Sequence, residues 1–348
     1  MKFLKTLIIV PMLAILIGGC STTKEAKPSS SKQTAQKPLT VGIVYDTAGR
    51  GDKSFNDGAA RGITQAEKEL GVKAYQIDSR NANDYESNIL SLIQKDVDLL
   101  IVVGITTKKA VEKMAKEYPN QKFVYVDAHV DLPNVRSLVF QEQEGSFLAG
   151  YIAGLVSKTK KVGFVGGMDI PLIVKFYSGF AAGAMTADPQ IKMLPPKFIG
   201  DWSNVDAAKT AANVLYAQGA DVIFQAAAAA GMGVLKAAKE NHKLAVGVDS
   251  DQDHIYPGSV LTSMLKLVDA AVFDTIKDLK EGKFTAGEKI YGLKEKGVGI
   301  TEMKYTKHLL TPADWKKYED IRKEIVDGKI VVPSTVKALK TYELSLKR

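Results

Sequence analysis

The feature that most constrains the fold of this chain is a repeated alternation, from Leu39 onward, of short apolar runs with amphipathic stretches. The apolar runs are rich in Val, Ile and Phe without clean polar alternation, which is typical of parallel strands covered on both faces. Alternating strands and helices build parallel sheets with right-handed crossovers. The ten predicted strands are Thr40–Tyr45, Lys73–Ile77, Leu99–Val103, Phe123–Val126, Ser137–Phe140, Val162–Val165, Lys197–Gly200, Val222–Gln225, Ala245–Val248 and Leu261–Met264.

Eight stretches between these strands have the length and apolar spacing of helices. Ten strands exceed one doubly wound unit of ordinary size, and 348 residues suffice for two domains. We therefore predict an α/β fold with two doubly wound parallel-sheet lobes, divided near Gln141–Glu144, with later segments crossing back. The predicted helices are Asn56–Glu69, Asp84–Lys95, Thr107–Glu117, Glu144–Lys158, Ile173–Thr186, Val205–Gln218, Gly231–Glu240 and Val268–Glu281.

The start of the chain has the pattern of a signal sequence that ends in a lipidation site. Two lysines precede an apolar run, Leu7–Ile17, which is too short to span a bilayer comfortably. The run ends in LIGGC, which resembles a bacterial lipobox. An ordinary signal peptide with an incidental cysteine is the alternative, but Cys20 is the only cysteine and occupies the cleavage position. We predict a signal peptide over 1–19 and a lipid on Cys20.

The segment after the cysteine has the composition of a flexible tether. Residues 21–37 are rich in Ser, Lys, Thr, Gln and Pro and cannot bury a core, so residues 20–38 form a lipidated cysteine and flexible tether. Two or more acyl chains hold a protein stably on a bilayer. We therefore expect the folded part to work at the cell membrane, lipid-anchored, on the extracytoplasmic face.

The positive charge of the chain does not indicate a nucleic-acid partner. The formal net charge is +8, but six lysines and one glutamate in residues 1–38 contribute five of these charges. The remaining +3 is too little for a dedicated phosphate-binding face, so no nucleic acid is expected. A single cysteine also excludes a disulfide scaffold, a zinc-finger cluster and a Cys-ligated iron–sulfur centre.

Three predicted strands run directly into an aspartate: Asp46, Asp127 and Asp249. Ligands of open α/β sheets bind just outside the carboxyl ends of the strands, so all three carboxylates are candidates for one cleft. Each aspartate could instead cap the next helix or bind loop amides. Their repetition in equivalent positions favours the shared cleft.

Aromatic residues fall beside these acids. Phe55 stands in a polar turn after the first strand, where no apolar period requires it. Phe176 and Phe180 are four residues apart near the start of a helix, and this spacing predicts a core position for Phe180 while leaving Phe176 open to core or ligand. Carboxylate acceptors beside exposed rings suit a flat apolar molecule that carries hydroxyls, a nucleoside or a sugar.

Several motifs make the chain similar to the basic membrane protein (BMP) family, the purine-nucleoside receptor lipoproteins of bacterial ABC importers. The resemblance spans about residues 39–305 in the family's order, and the lipobox agrees with it. The motifs are DKSFN at Asp52–Asn56, QEQEGSFLAGYIAG at Gln141–Gly154, Val162–Gly167 with FYSGF at Phe176–Phe180, QAAAAAGMG at Gln225–Gly233, GVDSDQ at Gly247–Gln252 and TSMLK at Thr262–Lys266.

The resemblance implies a type I periplasmic-binding-protein fold with two lobes, three hinge crossings and the ligand between the lobes. The N-terminal lobe would comprise residues 39–141 plus 267–297, and the C-terminal lobe residues 142–266 plus 298–348. The implied partners are a purine nucleoside (adenosine, guanosine or inosine) and an ABC transporter permease.

The resemblance also implies roles for single residues. Phe55 and Phe176 would sandwich the purine. A carboxylate accepts two hydrogen bonds from a vicinal diol, and Lys266 adds a donor to the same oxygens. The implied roles are Asp46 and Asp127 for base and ribose groups, with Asn56 nearby; Asp249 and Lys266 for the ribose hydroxyls; Gly231 for close backbone approach; and Thr47, which replaces a larger polar residue sometimes found after the first acid.

Two other function classes stay open at this level. A nucleoside hydrolase could use Asp127 and Asp249 as acid and base, although the sequence has no nucleophile motif. A sugar-binding or signal-sensing protein could share the same fold. No Walker A, GxGxxG or GxSxG motif is present, and the four histidines lack metal-binding spacing, so neither cofactor nor metal is expected.

Overall fold

The computed structural model describes residues 38–346, which build two β-sheets with helices on their faces. The predicted signal peptide, Cys20 and the tether up to residue 37 lie outside the described residues. The strands are β1 (Thr40–Tyr45), β2 (Lys73–Asp78), β3 (Leu99–Val103), β4 (Phe123–Val126), β5 (Val135–Phe140), β6 (Lys161–Gly166), β7 (Lys192–Met193), β8 (Lys197–Phe198), β9 (Val222–Ala226), β10 (Leu244–Asp249), β11 (Val260–Lys266), β12 (Gly287–Tyr291) and β13 (Val298–Ile300). The helices are α1 (Phe55–Leu70), α2 (Asp84–Ile93), α3 (Lys108–Glu117), α4 (Glu142–Val156), α5 (Pro171–Ala187), α6 (Val205–Ala217), α7 (Met232–Glu240), α8 (Val268–Lys280), α9 (Pro312–Val326) and α10 (Val336–Leu346).

The first sheet has the strand order β12-β5-β4-β3-β1-β2, and every pair in it is parallel. All side chains of β1 and β3 are buried, as expected for central strands covered on both faces. Helices α1 and α8 pack against each other. Gly62 of α1 allows this contact, because a Cβ there would lie 2.5 Å from the Asp269 carbonyl oxygen of α8.

The second sheet has the order β13-β11-β10-β9-β6-β7, with β8 also paired to β6. Its strands are parallel except for β13, which runs antiparallel to β11. Helices α4 and α5 form the most extensive helix pair of the described chain. Gly150 and Gly183 lie directly against the backbone of the opposite helix, so only residues without a side chain permit this approach.

The chain passes between the two sheets three times, and the three passages lie side by side. The first follows β5, the second follows β11 and the third joins β12 to β13. Gln141 N donates to the Tyr291 carbonyl at 3.0 Å, and Leu267 N donates to the Gly297 carbonyl at 2.9 Å. These bonds hold the passages together, so the two sheets are joined along a narrow strip of backbone.

The α/β class with two parallel-sheet cores is confirmed, and all ten predicted strands and eight predicted helices are present. Strands β1, β3 and β4 have the predicted ends, whereas the other elements have shifted ends. The strand predicted at Lys197–Gly200 shrinks to two residues, Lys197–Phe198, and β5 begins two residues early, at Val135. Elements β7, β12, β13, α9 and α10 were not predicted from the sequence. None of the helices between residues 38 and 346 has the length and apolar character needed to cross a bilayer.

Candidate functional site

Seven of the nine residues that the sequence predicts at a ligand site line one cavity between the two sheets. The cavity encloses about 510 Å³ of atom-free space, part of it open to solvent. It lies beyond the carboxyl ends of the parallel strands, as the topology of open α/β sheets predicts. The seven residues are Asp46, Phe55, Asn56, Asp127, Phe176, Asp249 and Lys266.

The other two predicted residues, Thr47 and Gly231, do not line this cavity. The Thr47 side chain is exposed in the turn after β1, where the Asp46 carboxylate accepts a hydrogen bond from Ala48 N at 3.0 Å. Gly231 is buried at the end of a short 3-10 helix, and a Cβ there would overlap the side-chain amide of Gln225. The structure therefore assigns this glycine to packing against Gln225.

The Asn56 cluster, formed by Asp46, Asp52 and Asn56, supplies one wall of the cavity. Asn56 Nδ2 donates to Asp46 Oδ1 at 2.9 Å and to Asp52 Oδ2 at 3.3 Å. Its Oδ1 atom is buried and has no hydrogen-bond partner among the described residues. Burial raises the pKa of Asp46 to about 6, although the bonds from Asn56 and Ala48 oppose this rise. The cluster thus offers one unpaired acceptor, the Asn56 Oδ1 atom, and one carboxyl group, that of Asp46, whose pKa is about 6.

Asp52 organises the loop that places Phe55 and Asn56. It is 1% exposed and accepts hydrogen bonds from Ser54 N at 2.9 Å, Asn56 N at 2.8 Å and Asp57 N at 3.1 Å. The amides of Asn56 and Asp57 belong to the first turn of α1, and Ser54 directly precedes it. A carboxylate here satisfies free N–H groups and interacts favourably with the helix dipole. Asp52 was not assigned a role from the sequence, although an acid just before a helix is a common N-terminal signal.

The Lys266 cluster consists of Lys266 with the carboxylates of Asp127, Glu142 and Asp249. Lys266 Nζ donates to Asp127 Oδ1 and lies 3.1 Å from Glu142 Oε1. Burial alone would lower the pKa of Lys266, but the carboxylates around it, Asp127 foremost, raise that pKa above its usual value. The ammonium is therefore charged and fixed inside the protein.

The two predicted ligand-stacking rings face this ammonium. Lys266 Nζ lies 4.9 Å from the centroid of the Phe55 ring and 5.8 Å from that of Phe176. Both distances are within the range of cation–π attraction. Phe180 is fully buried and packs on Phe224 at 5.1 Å between centroids, as its spacing predicts. Phe176 is buried as well and lies 6.3 Å from the Phe224 ring, but it also lines the cavity.

Asp249 connects the cavity to the loop before α1. Ser54 Oγ donates to Asp249 Oδ2 at 2.5 Å. Burial raises the pKa of Asp249 to about 7, while the charge of Lys266 and the bond from Ser54 hold it down. Asp127 and Asp249 both have left-handed backbone, with φ of 106° and 62°. Such conformations cost about 1–3 kcal/mol each and concentrate at functional sites.

Two further bonds join the loop before α1 to the loop after β10. Gln252 Nε2 donates to the Lys53 carbonyl at 3.0 Å, and Ser250 Oγ donates to the Ser54 carbonyl at 3.0 Å. Lys53 and Ser54 follow β1 of the first sheet, whereas the other two residues follow β10 of the second sheet. The loops that carry Phe55 and Asp249 are therefore bonded to each other.

Eight further residues line the cavity and were not predicted from the sequence. Trp202 is the most informative, because it stands in a polar loop before α6, which is the same signal that identified Phe55. The others are small or aliphatic, and nothing in the sequence distinguishes them from core residues. They are Ala48, Ile105, Leu172, Ile173, Ala226, Ala228 and Val248.

Buried carboxylates, one ammonium, one free amide oxygen and apolar rings together suit a hydroxylated small molecule with a flat apolar part. Within residues 38–346, no group of three or more His, Cys, Asp or Glu side chains is placed to hold a metal ion.

Comparisons with known proteins agree with this architecture. The family model for PnrA-like ABC transporter substrate-binding proteins (Bmp) matches residues 39–336. The crystal structure of an ABC transporter solute-binding protein from Aeropyrum pernix is similar with a TM-score of 0.80 and 28% identity, covering 89% of this chain and 98% of that one. The two-sheet architecture is thus the type I periplasmic-binding-protein fold.

Relatives with similar sequences extend over nearly the whole chain. A CD4+ T-cell-stimulating antigen of Listeria innocua is 35% identical over 344 residues, which cover 92% of this chain and 94% of the relative. The ABC transporter nucleoside-binding protein BmpA of Lactococcus lactis subsp. cremoris is 33% identical over 342 residues, covering 92% and 95%. This chain therefore belongs to the Bmp family of PnrA-like ABC transporter substrate-binding proteins.

Proposed function

We propose that this protein captures a purine nucleoside between its two sheets and delivers it to the permease of an ABC transporter. The observation that carries the proposal is the Lys266 ammonium, held between carboxylates and facing the Phe55 and Phe176 rings in one cavity. A nucleoside combines the two parts that such a cavity recognises, an apolar ring system and a diol. The relative from Lactococcus lactis, named as nucleoside-binding, supports the same ligand class.

In this proposal the base lies between Phe55 and Phe176, where ring stacking contributes about 1–3 kcal/mol per base. The free Oδ1 of Asn56 accepts an N–H from the base, and Asp46 and Asp127 serve further base and ribose groups. Asp249 accepts the ribose hydroxyls, with Lys266 as the donor to their oxygens. Thr47 and Gly231 have no direct contact with the ligand.

The proposal includes the location and organisation expected from the sequence. Cys20 carries a lipid after removal of residues 1–19, and residues 20–38 tether the fold to the outer face of the cell membrane. The first sheet is the core of a lobe made of 39–141 plus 267–297, and the second is the core of a lobe made of 142–266 plus 298–348. The three adjacent passages of the chain serve as the hinge.

Calorimetric titration of the purified protein with adenosine, guanosine, inosine and cytidine tests the ligand class. We expect saturable heat with at least one purine nucleoside, and competition by ribose at least about a hundredfold weaker, because ribose offers nothing to the rings. Absence of heat with all three purine nucleosides would contradict the proposal. Ribose binding as tight as inosine binding would favour a sugar-binding or sensing protein instead.

The alternative function is hydrolysis of the nucleoside. The raised pKa of Asp249, about 7, favours this alternative because a carboxyl group that titrates near pH 7 suits general acid–base catalysis. Against it, Asp127 is paired with Lys266 and Asp249 accepts from Ser54, so both carboxylates have protein partners. Incubating the protein with inosine should leave no free hypoxanthine, which chromatography detects.

A further inference from the structure

Glu142 is a buried carboxylate whose role the ligand site does not yet explain. It is the first residue of α4, directly after the first passage between the sheets, and its side chain is fully buried. It does not line the cavity. Its two oxygens each face a lysine: Oε1 lies 3.1 Å from Lys266 Nζ, and Oε2 accepts from Lys175 Nζ at 3.1 Å. A buried carboxylate is tolerated when it is paired in this way and placed at a helix N-terminus.

Glu142 and Asp127 hold the same ammonium from two sides. Asp127 follows β4 of the first sheet, whereas Glu142 begins the first helix of the second sheet. A lysine has a flexible four-carbon stem and three donors, so one carboxylate alone leaves its head free to swing. Asp127 accepts a hydrogen bond from the head, and the Glu142 carboxylate attracts it as an ion pair at 3.1 Å. The head therefore stays within cation–π range of the Phe55 and Phe176 rings, with donors left for a ligand.

We propose that Glu142 is a positioning residue that fixes Lys266 where it donates to a ribose hydroxyl, and thereby sets the preference of the site for ribonucleosides over deoxyribonucleosides. The inference rests on the proposed function. Glu142 itself stays outside the cavity and acts only through Lys266. Without its charge, the ammonium moves toward Asp127, its remaining partner, and the hydroxyl loses its donor.

The test compares Glu142→Gln with the wild type in calorimetric titrations with inosine, 2′-deoxyinosine and 3′-deoxyinosine. The change is isosteric and removes one negative charge. We expect inosine affinity to fall roughly tenfold, the scale of losing one well-placed charge-assisted hydrogen bond. The affinity for the deoxy analogue that lacks the hydroxyl bound by Lys266 should change less than about threefold, so the preference collapses.

Glu144→Gln is the matched control, because it makes the same change two residues further along α4. Glu144 Oε2 accepts from Leu293 N at 2.8 Å at the third passage, and Glu144 has no lysine partner among residues 38–346. We expect its ratio of inosine to deoxyinosine affinities to equal that of the wild type. Equal weakening of all three ligands in Glu142→Gln would indicate a merely structural role and overturn the inference.

A second variant covers the case in which Glu142→Gln does not fold. Glu142→Asp keeps the charge balance but withdraws the carboxylate by one methylene, and we expect an intermediate loss of the ribose preference. A wild type that binds inosine and both deoxy analogues equally well overturns the inference alone. A wild type that binds no purine nucleoside overturns the proposed function, and the inference fails with it.

Discussion

The Lys266 cluster and the Asn56 cluster both contribute residues to the same cavity but are held in place by different forces. In the first, an ammonium and carboxylates neutralise one another inside the protein. In the second, a neutral amide donates to two carboxylates and keeps one oxygen unpaired. In the charged cluster, Glu142 Oε1 accepts no hydrogen bond but lies 3.1 Å from the Lys266 ammonium as an ion pair. In the amide cluster, the Asn56 Oδ1 atom has neither kind of partner among the described residues.

This difference indicates a division of labour. Residues of the ion-paired cluster should matter for the fold as well as for the ligand, so removing one of them should affect both stability and affinity. In the Asn56 cluster we expect the ligand to pair with the free amide oxygen, so changes there should affect the choice of base while leaving the fold nearly intact. Four experiments test this contrast, in order of decreasing expected effect.

The largest effect is expected for Lys266→Met. This change leaves Asp127 and Glu142 buried without their shared counter-charge, and should lower the free energy of unfolding by about 3–5 kcal/mol. Urea denaturation measures the change. Lys289→Met is the control, because Lys289 lies 3.7 Å from Asp278 on the surface and should cost less than about 1 kcal/mol. Equal costs for the two variants would abolish the contrast.

The next largest effect is expected for Asp249→Ala. We expect this variant to lose about 1.5–3 kcal/mol of nucleoside binding, the scale of a hydrogen bond to a charged group. Calorimetric titration measures the loss. Asp251→Ala, in the exposed part of the same loop, should bind like the wild type. Unchanged affinity in Asp249→Ala would remove this carboxylate from the site.

A smaller effect is expected from pH. Ribose donors favour the ionised form of Asp249, whose pKa is about 7 in the free protein, so binding releases a proton below that pH. Affinity should therefore increase from about pH 5 to 7, by at most about tenfold per unit, and level off above. Asp46, with a pKa of about 6, titrates in the same range. The variant Asp249→Asn removes the contribution of Asp249 to this pH dependence. Its nucleoside affinity should change less with pH than that of the wild type. An identical pH dependence in the two proteins would contradict the role of Asp249 in it.

The smallest effect is expected for Asp46→Asn, in the Asn56 cluster. The change keeps the size of the side chain and alters one hydrogen-bonding group, so it should shift the relative affinities for adenosine, guanosine and inosine by about 0.5–1.5 kcal/mol. The ratio of inosine to 2′-deoxyinosine affinity should stay as in the wild type. If that ratio falls as well, the two clusters are not separate in function.

Much of the fold could be predicted from the sequence, because buried parallel strands such as β1 and β3 are uninterrupted apolar runs. The five missed elements lack this signal. Strands β7, β12 and β13 are short or largely exposed, and α9 is a mainly polar helix. A capping box at Thr311 and Asp314 marks the start of α9 and could have revealed it.

The candidate site was partly predictable for a similar reason. Asp46, Asp127 and Asp249 each follow a recognisable strand, so the sheet topology brings them together. The pairing of Lys266 with Glu142 depends on how the passages between the sheets pack, and periodicity carries no information about that. Thr47 and Gly231 came only from the family resemblance, and neither reaches the cavity.

The bonds between the loop before α1 and the loop after β10 should also influence binding kinetics. Ser250 and Gln252 donate to the backbone carbonyls of Ser54 and Lys53, so any separation of the two loops breaks both bonds. We expect the residence time of a bound ligand to depend on how often these loops separate, in addition to how well the cavity residues hold it. Removing the hydrogen bond from Gln252 to the Lys53 carbonyl should hasten both the entry and the escape of the ligand. Equilibrium titration hardly registers such a change, whereas stopped-flow measurement detects it directly.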